Sequence, residues 1–402
     1  MVKRYFILFL LVFHSFIDIS ILREFFGTST AYTLTVFFSL LCFSFVIFNR
    51  FKLNRGARVE FFTFFAIFLL VLVKYIFISV HPSYLIILIS NISLLYLVFS
   101  IQIIDYIDSL FRILIRLNVI LILIYYLNIF NLGFLIWDDS LLADSLFFGL
   151  SRLVGIFGNG GYASLSYCII FFYFLYLQID PNKNKLVNYF YLLAALIFGV
   201  LTGNRSFILG TAIGFLIFLF TTFKISRIKS YVAFMFFFSI TATLFINEIL
   251  ILFDYFVFRF ESGFQNRLEN ETGILDLLKN INLKTILWGS LESNNSEIYV
   301  LINNIHFLPH NGFLYYLSSF GFSVFLLTVF LYSRVAGIII KSKRFKKSLI
   351  YSIVLNNLII MVFYSMGEAF LLTPLNIIII KYIIELSQTN NYYYESKSIV
   401  NS

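Results

Sequence analysis

Long apolar runs separated by short polar connections make up most of the chain. A membrane-spanning helix needs about 20 apolar residues, or fewer where polar ends snorkel to the interface. By that measure about twelve spans are expected, at 5–22, 31–48, 61–80, 84–101, 111–130, 162–179, 189–202, 206–223, 231–253, 311–333, 349–366 and 369–386. The seventh is short, and only Gly367-Glu368 separate the last two. The expected fold class is an all-α integral membrane protein with one large extracytoplasmic loop containing short amphipathic helices.

The polar connections orient these spans. Arg50, Lys52, Arg55 and Arg58 follow the second span, Arg112 and Arg116 the fourth, and Lys183 and Lys185 the sixth. Lys224, Arg227 and Lys229 follow the eighth; Arg334, Lys341, Lys343, Arg344, Lys346 and Lys347 follow the tenth. Odd-numbered connections are poor in Lys, and the one at 131–161 carries Asp138, Asp139 and Asp144. The positive-inside rule then predicts both termini in the cytoplasm and the odd connections outside. A wrong span count would scramble this alternation.

Two outside segments are too long for simple turns. The first, 131–161, ends in the glycine-rich run from Gly155 to Gly161. The second, 254–310, is the largest polar region. Within it Ile274, Leu275, Leu277, Leu278, Ile281 and Leu287 recur near helical spacing up to Gly289, which predicts an amphipathic helix against the bundle or the headgroups. The chain thus divides into N-terminal spans (1–130), spans with the glycine-rich outer loop and an arginine turn (131–253), the large loop (254–310), C-terminal spans (311–387) and a polar cytoplasmic tail (388–402).

Composition agrees with this organisation. Of 402 residues, 60% are hydrophobic, 20% aromatic and only 12% charged, with a mean hydropathy of +0.93. Soluble domains are about a quarter charged. The net charge of +9 does not imply nucleic acid, because the basic residues sit in the connections where they set topology. Cys42 and Cys168 fall inside apolar runs and are expected to pack rather than pair or bind metal. The Met1-Val2-Lys3-Arg4 start resembles a signal peptide, but no small-x-small site follows it, so a retained first helix is expected.

The candidate chemistry gathers on the outer side. Arg205 sits in Leu201-Thr202-Gly203-Asn204-Arg205-Ser206, between two apolar runs. An arginine at a span centre costs about 2.5–3.5 kcal/mol, less near an end. Its guanidinium fork matches phosphate oxygens; a snorkelling helix-end arginine is the plain alternative. Arg152 precedes the glycine-rich approach to the sixth span, where backbone N–H groups can come close to an anion. A solvated loop arginine is the alternative there. Arg259 and Arg267 lie among Glu261, Glu269 and Glu271, where surface pairing is the ordinary role; Arg267, just before the amphipathic stretch, is preferred as a ligand. His310 follows Pro309 and precedes Asn311, which can cap the next helix. A neutral imidazole there can take a proton from a hydroxyl, or it can be an interfacial capping residue. Glu368 is a carboxylate between two apolar runs, a position that is usually functional or paired. His306, His14 and His81 are expected to be lesser or structural residues, and Asp105, Asp108 and Asp180 ordinary loop charges. No Walker loop, zinc motif or G-x-S-x-G elbow is present, leaving ATP-driven transport and serine hydrolysis unsupported.

Taken in order, Arg152-x-x-Gly155-x-Phe157, Thr202-Gly203-Asn204-Arg205, Asn266-Arg267, Trp288-Gly289, His310-Asn311-Gly312-Phe313-Leu314 and Phe320-Gly321 resemble the bacterial O-antigen polymerase and O-antigen ligase superfamily. The resemblance covers residues 150–330 in motif and the first five spans in hydropathy alone. It implies glycosyl transfer at the outer face of the cytoplasmic (inner) membrane from undecaprenyl-diphosphate-linked glycans. Arg205 and Arg267 would hold the diphosphate, with Arg152, Arg259 and Asn311 as further substrate contacts. His310 would activate or position the acceptor hydroxyl, and Glu368 would orient it or hold an arginine. Asn204-Arg205-Ser206 departs from the S-R-G or T-R-A pattern of many members. Guanidinium groups can stabilise a diphosphate leaving group without metal, so no metal and no cofactor are expected and the transfer should invert configuration. The expected partners are the lipid-linked glycans, membrane lipids and a chain-length regulator. A polymerase is the leading reading, with a ligase acting on lipid A–core as its near neighbour. A lipid-linked oligosaccharide flippase is the reading from another class; it would carry charge at several depths within its spans, and the interior here is expected to be almost uncharged.

Overall fold

Apolar runs bounded by good caps fold as helices, and the caps show where each begins. His81 precedes Pro82 and accepts from the Ser83 N–H through Nδ1 at 3.3 Å. Asn204 Oδ1 accepts from the Ser206 N–H at 2.9 Å. Thr373 precedes Pro374, its Oγ1 accepting from the Asn376 N–H at 3.4 Å. Side-chain oxygens at the N-cap, and proline at the first helical position, satisfy or remove donors that would otherwise be orphaned. Hydroxyls inside the spans return to their own backbone, as Thr35 to Ala31 O, Ser39 to Thr35 O and Thr328 to Val324 O. In hydrocarbon each polar group needs such a partner.

The computed structural model of the chain describes residues 2–16, 22, 26–48, 55–126, 136–137, 152–153, 157, 160–179, 185–202, 204–222, 283–294, 297–302, 305–307, 312–341, 356–362 and 373–400. Its helices are α1 (Val2–Phe16), α2 (Thr28–Phe48), α3 (Arg58–Phe77), α4 (Pro82–Ser100), α5 (Ile107–Tyr126), α6 (Gly160–Ile179), α7 (Lys185–Leu201), α8 (Arg205–Thr222), α9 (Leu283–Trp288), α10 (Gly312–Phe320), α11 (Phe322–Lys341) and α12 (Pro374–Val400). Residues 356–362 are also helical. The expected span at 231–253 lies outside the described residues, as does most of 349–366. Among the described residues, five helical stretches are long and apolar enough to cross a membrane: Thr28–Phe48, Arg58–Phe77, Pro82–Ser100, Gly161–Gln178 and Phe322–Ile340.

Burial confirms that the solvent is lipid-like. Phe64, Phe99, Phe111, Phe172 and Phe174 are enclosed, yet Phe48, Phe77 and Leu186 are each at least 80% exposed. So much apolar surface suits a bilayer and not water. The chain is a helical membrane protein.

Two expectations change. The span expected at 311–333 is broken: α10 ends at Phe320, Gly321 adopts φ +82°, and α11 starts at Phe322. The large loop holds strands as well as helix. Leu291–Asn294 (β1), Glu297–Ile302 (β2) and Ile305–Phe307 (β3) form an antiparallel meander with the pairs Leu291↔Val300 and Leu301↔His306. Of the stretch expected as an amphipathic helix only Leu283–Trp288 (α9) is described, and it is helical; 274–282, which hold five of the six expected apolar positions, lie outside the described residues. Within the polar tail expected at 388–402, whose place relative to the membrane is untouched by this, α12 continues as far as Val400. A second small ladder pairs Ile136–Trp137 with Arg152–Leu153.

Gly321 is required where it stands. A Cβ there would run into the Leu287 carbonyl, and a Cβ on Gly289 (φ +75°) into the Ser319 carbonyl. Both obstacles are backbone and cannot swing aside. Gly321→Ala is expected to cost at least the 1–3 kcal/mol of a strained left-handed residue and to lower the melting temperature of the purified protein. Gly337→Ala in α11, whose Cβ would meet nothing within 4 Å, should leave it unchanged or slightly raised.

Polar contacts sort the bundle into two layers. In one layer Glu60 accepts from Arg334 at 3.3 Å and Arg112 bonds Asp108 at 2.9 Å and Asn188 at 2.7 Å. Glu385 there holds Lys381 at 3.0 Å and the Ile104 N–H at 2.9 Å, while Arg4 donates to Asp105 O at 3.1 Å. In the other layer lie Lys74, His81, Thr202–Arg205, the start of α6, the start of α12 and Gly321. Lys74 is fourteen residues beyond Glu60, Gly321 thirteen before Arg334, and Thr202 fourteen beyond Asn188. At 1.5 Å per residue the layers stand about 20 Å apart.

Candidate active site

The second layer is built from helix ends. Between α7 and α8 the Thr202 N–H reaches Phe198 O at 3.1 Å and Thr202 Oγ1 donates to Gly199 O at 2.7 Å. The Asn204 N–H then reaches Thr202 Oγ1 at 3.4 Å, and Asn204 O receives the Phe207 N–H at 2.9 Å. Gly199 lets the Phe207 ring lie against its backbone, where a Cβ would collide with the ring. The result is a tight helix–turn–helix that makes Arg205 the first residue of α8. Any anion reached by its side chain would also meet the positive end of that helix dipole.

Arg152 comes to the same end of the bundle. It pairs with Trp137 in the small ladder, and that ladder lies beside α7. Phe157, buried between Tyr162 and Tyr167 at ring distances of 5.9 and 5.1 Å, ties this approach to the start of α6. Tyr167 in turn packs on Phe198 of α7 at 5.6 Å. Because α6 and α7 are joined by a short connection and run antiparallel, the start of α6 and the Arg205 turn share one layer. The Leu375 N–H, in the first turn of α12, donates to Tyr162 Oη at 3.2 Å, so the start of α12 belongs to this layer too.

The third contribution comes from the large loop. The Ser290 N–H donates to Ser318 O at 2.6 Å, and the glycines 289 and 321 face each other's neighbouring carbonyls. The sheet sits against α10, and β3 ends at Phe307, three residues before His310. His310, Asn311, Arg259, Arg267 and Glu368 lie outside the described residues. The structure therefore brings the backbones at Arg152 and Arg205 into one layer; Gly312 and Thr373 are the described residues nearest in sequence to His310 and Glu368.

One residue of this layer escaped the sequence reading. Lys74 Nζ donates to Trp288 O at 3.1 Å and to Gly289 O at 3.3 Å, where the unpaired carbonyls end α9 and carry partial negative charge. Its signal was available: a lysine at the end of a span opposite the basic clusters departs from the charge pattern of the other connections. The minor histidines are structural, His81 as a cap and His14 bonded to Ser90 Oγ at 2.7 Å. Asp108 is no plain loop charge, since it holds Arg112 and accepts from Tyr173 Oη at 3.3 Å. Both cysteines are buried and unbridged. Among the described residues no group of three or more His, Cys, Asp or Glu side chains is placed to hold a metal ion.

The chain matches no protein-family model and no curated protein. The class that the fold defines is a polytopic helical membrane protein.

Proposed function

We propose that the protein is a surface-polysaccharide (O-antigen) polymerase with about twelve spans. It would join undecaprenyl-diphosphate-linked repeat units at the outer face of the cytoplasmic membrane. The observation that carries this reading is the gathering of the Arg152 ladder, the Arg205 turn and the Gly289–Gly321 junction in the layer opposite the basic one. In this orientation the Arg334, Arg112 and Arg4 layer faces the cytoplasm, following the positive-inside rule.

Arg205, with Arg267, Arg152 and Arg259, would bind the donor diphosphate and neutralise the charge that develops on it as the glycosidic bond breaks. His310, aided by Asn311 and Glu368, would take the proton of the acceptor hydroxyl as that oxygen attacks the anomeric carbon. A single displacement inverts the configuration and leaves no glycosyl-enzyme intermediate. The ligase reading differs only in its acceptor, and the same layer would serve it. A flippase needs charge at several depths, whereas the described charges lie mostly in two layers, and Lys381 within a span is paired with Glu385.

The purified protein mixed with lipid-linked repeat units tests the class. Chain growth supports the polymerase, transfer to added lipid A–core with no chain growth supports the ligase, and neither product rejects glycosyl transfer. Chain growth is expected to survive EDTA; loss that a divalent ion restores would overturn the arginine mechanism.

A further inference from the structure

Asp108 neutralises Arg112 in the basic layer, but a second guanidinium one turn further along α5 has no such partner. Arg116 is exposed, and its Nε donates to Tyr191 Oη of α7 at 2.7 Å, with the Tyr191 ring 5.7 Å away. No carboxylate pairs with it among the described residues. The Tyr191 bond fixes the plane of the fork and leaves the Nη donors uncommitted among the described residues. Helical side chains lean toward the helix N-terminus, here the basic end, so the head of Arg116 is carried back toward the membrane surface.

Above it runs an apolar track. Ile120 and Leu123 follow Arg116 at i+4 and i+7 on α5, both more than half exposed. On α7, Phe190, Leu193 and Ile197 are likewise exposed at helical spacing beside Tyr191. Both helices start in the basic layer and run away from it in parallel. A cation with free donors at one end, and apolar stripes about 10–15 Å long leading away from it, match a phosphate joined to acyl chains. Basic sites between transmembrane helices at a membrane surface are the usual way an acidic headgroup is held.

We propose that Arg116, oriented by Tyr191, binds the phosphate of an anionic phospholipid whose acyl chains lie along the exposed stripes of α5 and α7. The site lies in the layer opposite the candidate active site and does not depend on the proposed reaction. The full-length protein is purified and its retained lipids are weighed by native mass spectrometry, with phosphatidylglycerol competing against phosphatidylcholine of the same acyl chains. Wild type should retain phosphatidylglycerol about fivefold over phosphatidylcholine, the preference that one interfacial arginine confers. Arg116→Gln should bring the two to parity. Tyr191→Phe, which keeps the charge and frees the fork, should reduce the preference without abolishing it, as should Arg116→Lys. These two variants also report if the Gln variant does not fold. Inorganic phosphate should fail to displace the lipid, because it cannot use the stripes. Parity in the wild type, a preference that survives every substitution, or displacement by inorganic phosphate alone overturns the proposal.

Discussion

Arg205→Ala is expected to slow chain growth on lipid-linked repeat units by about 10²–10³-fold, the cost of removing one preorganised donor from a developing anion. The fold should be untouched. Asn204 caps α8 through its own side chain, and Ala is a good helix former at the vacated position. Arg205→Lys should fall between the two, since an ammonium keeps the charge but lacks the fork that grips two phosphate oxygens at once. His310→Ala should also stop growth, yet leave binding of the lipid diphosphate near wild type, because its role is on the acceptor. Rates and donor binding measured on the same purified variants separate these outcomes. An Arg205→Ala protein that polymerises at the wild-type rate removes the diphosphate clamp from the mechanism.

Lys381→Met should be the most damaging of the structural substitutions. Lys381 and Glu385 are both nearly enclosed, their charged atoms 3.0 Å apart one helical turn along α12, with the Phe99 ring 5.5 Å from the ammonium. Removing the lysine strands a buried carboxylate, and breaking a buried pair from one side costs about 3–5 kcal/mol. Lys381→Met combined with Glu385→Leu should lose less than the lysine change alone. The remaining deficit would be the hydrogen bond that Glu385 makes to the Ile104 N–H, about 1 kcal/mol. Thermal melting of the three variants in one detergent checks the order. A double variant less stable than Lys381→Met would show that the carboxylate is not stranded.

Much of the helical framework was legible because hydropathy and caps speak directly about burial and backbone donors. The Thr28–Phe48, Arg58–Phe77 and Pro82–Ser100 helices fall within a few residues of the expected spans. The break at Gly321 was not legible. Its neighbours Phe320 and Phe322 keep hydropathy high, and a left-handed φ leaves no trace in an average of side-chain polarity. The meander was overlooked for a different reason. Its signal is the run Ile298-Tyr299-Val300-Leu301-Ile302, rich in β-branched and aromatic residues, between Asn295-Ser296 and Asn303-Asn304, the residue types of two-residue hairpin turns. A search for helical spacing passes over it. Lys381 and Glu385 sit inside a run read as apolar, and only packing shows that each answers the other. Of the candidate site, the structure places the Arg152 and Arg205 backbones in one layer, while His310, Asn311, Arg259, Arg267 and Glu368 lie outside the described residues. That layer depends on helix pairing, which Phe157, Tyr162 and Tyr167 establish and a linear pattern does not.

The α3 helix meets α11 at both ends of its length. Near one end Glu60 takes Arg334; near the other Lys74 holds the end of α9, which is seated on Gly321 at the head of α11. Two latches so far apart turn the pair into a strut, and the large loop is bolted to the upper latch at residues 283–290. The meander that follows, from Leu291 to Phe307, is thereby hung from a fixed bracket and must move with the α3–α11 pair rather than independently of it.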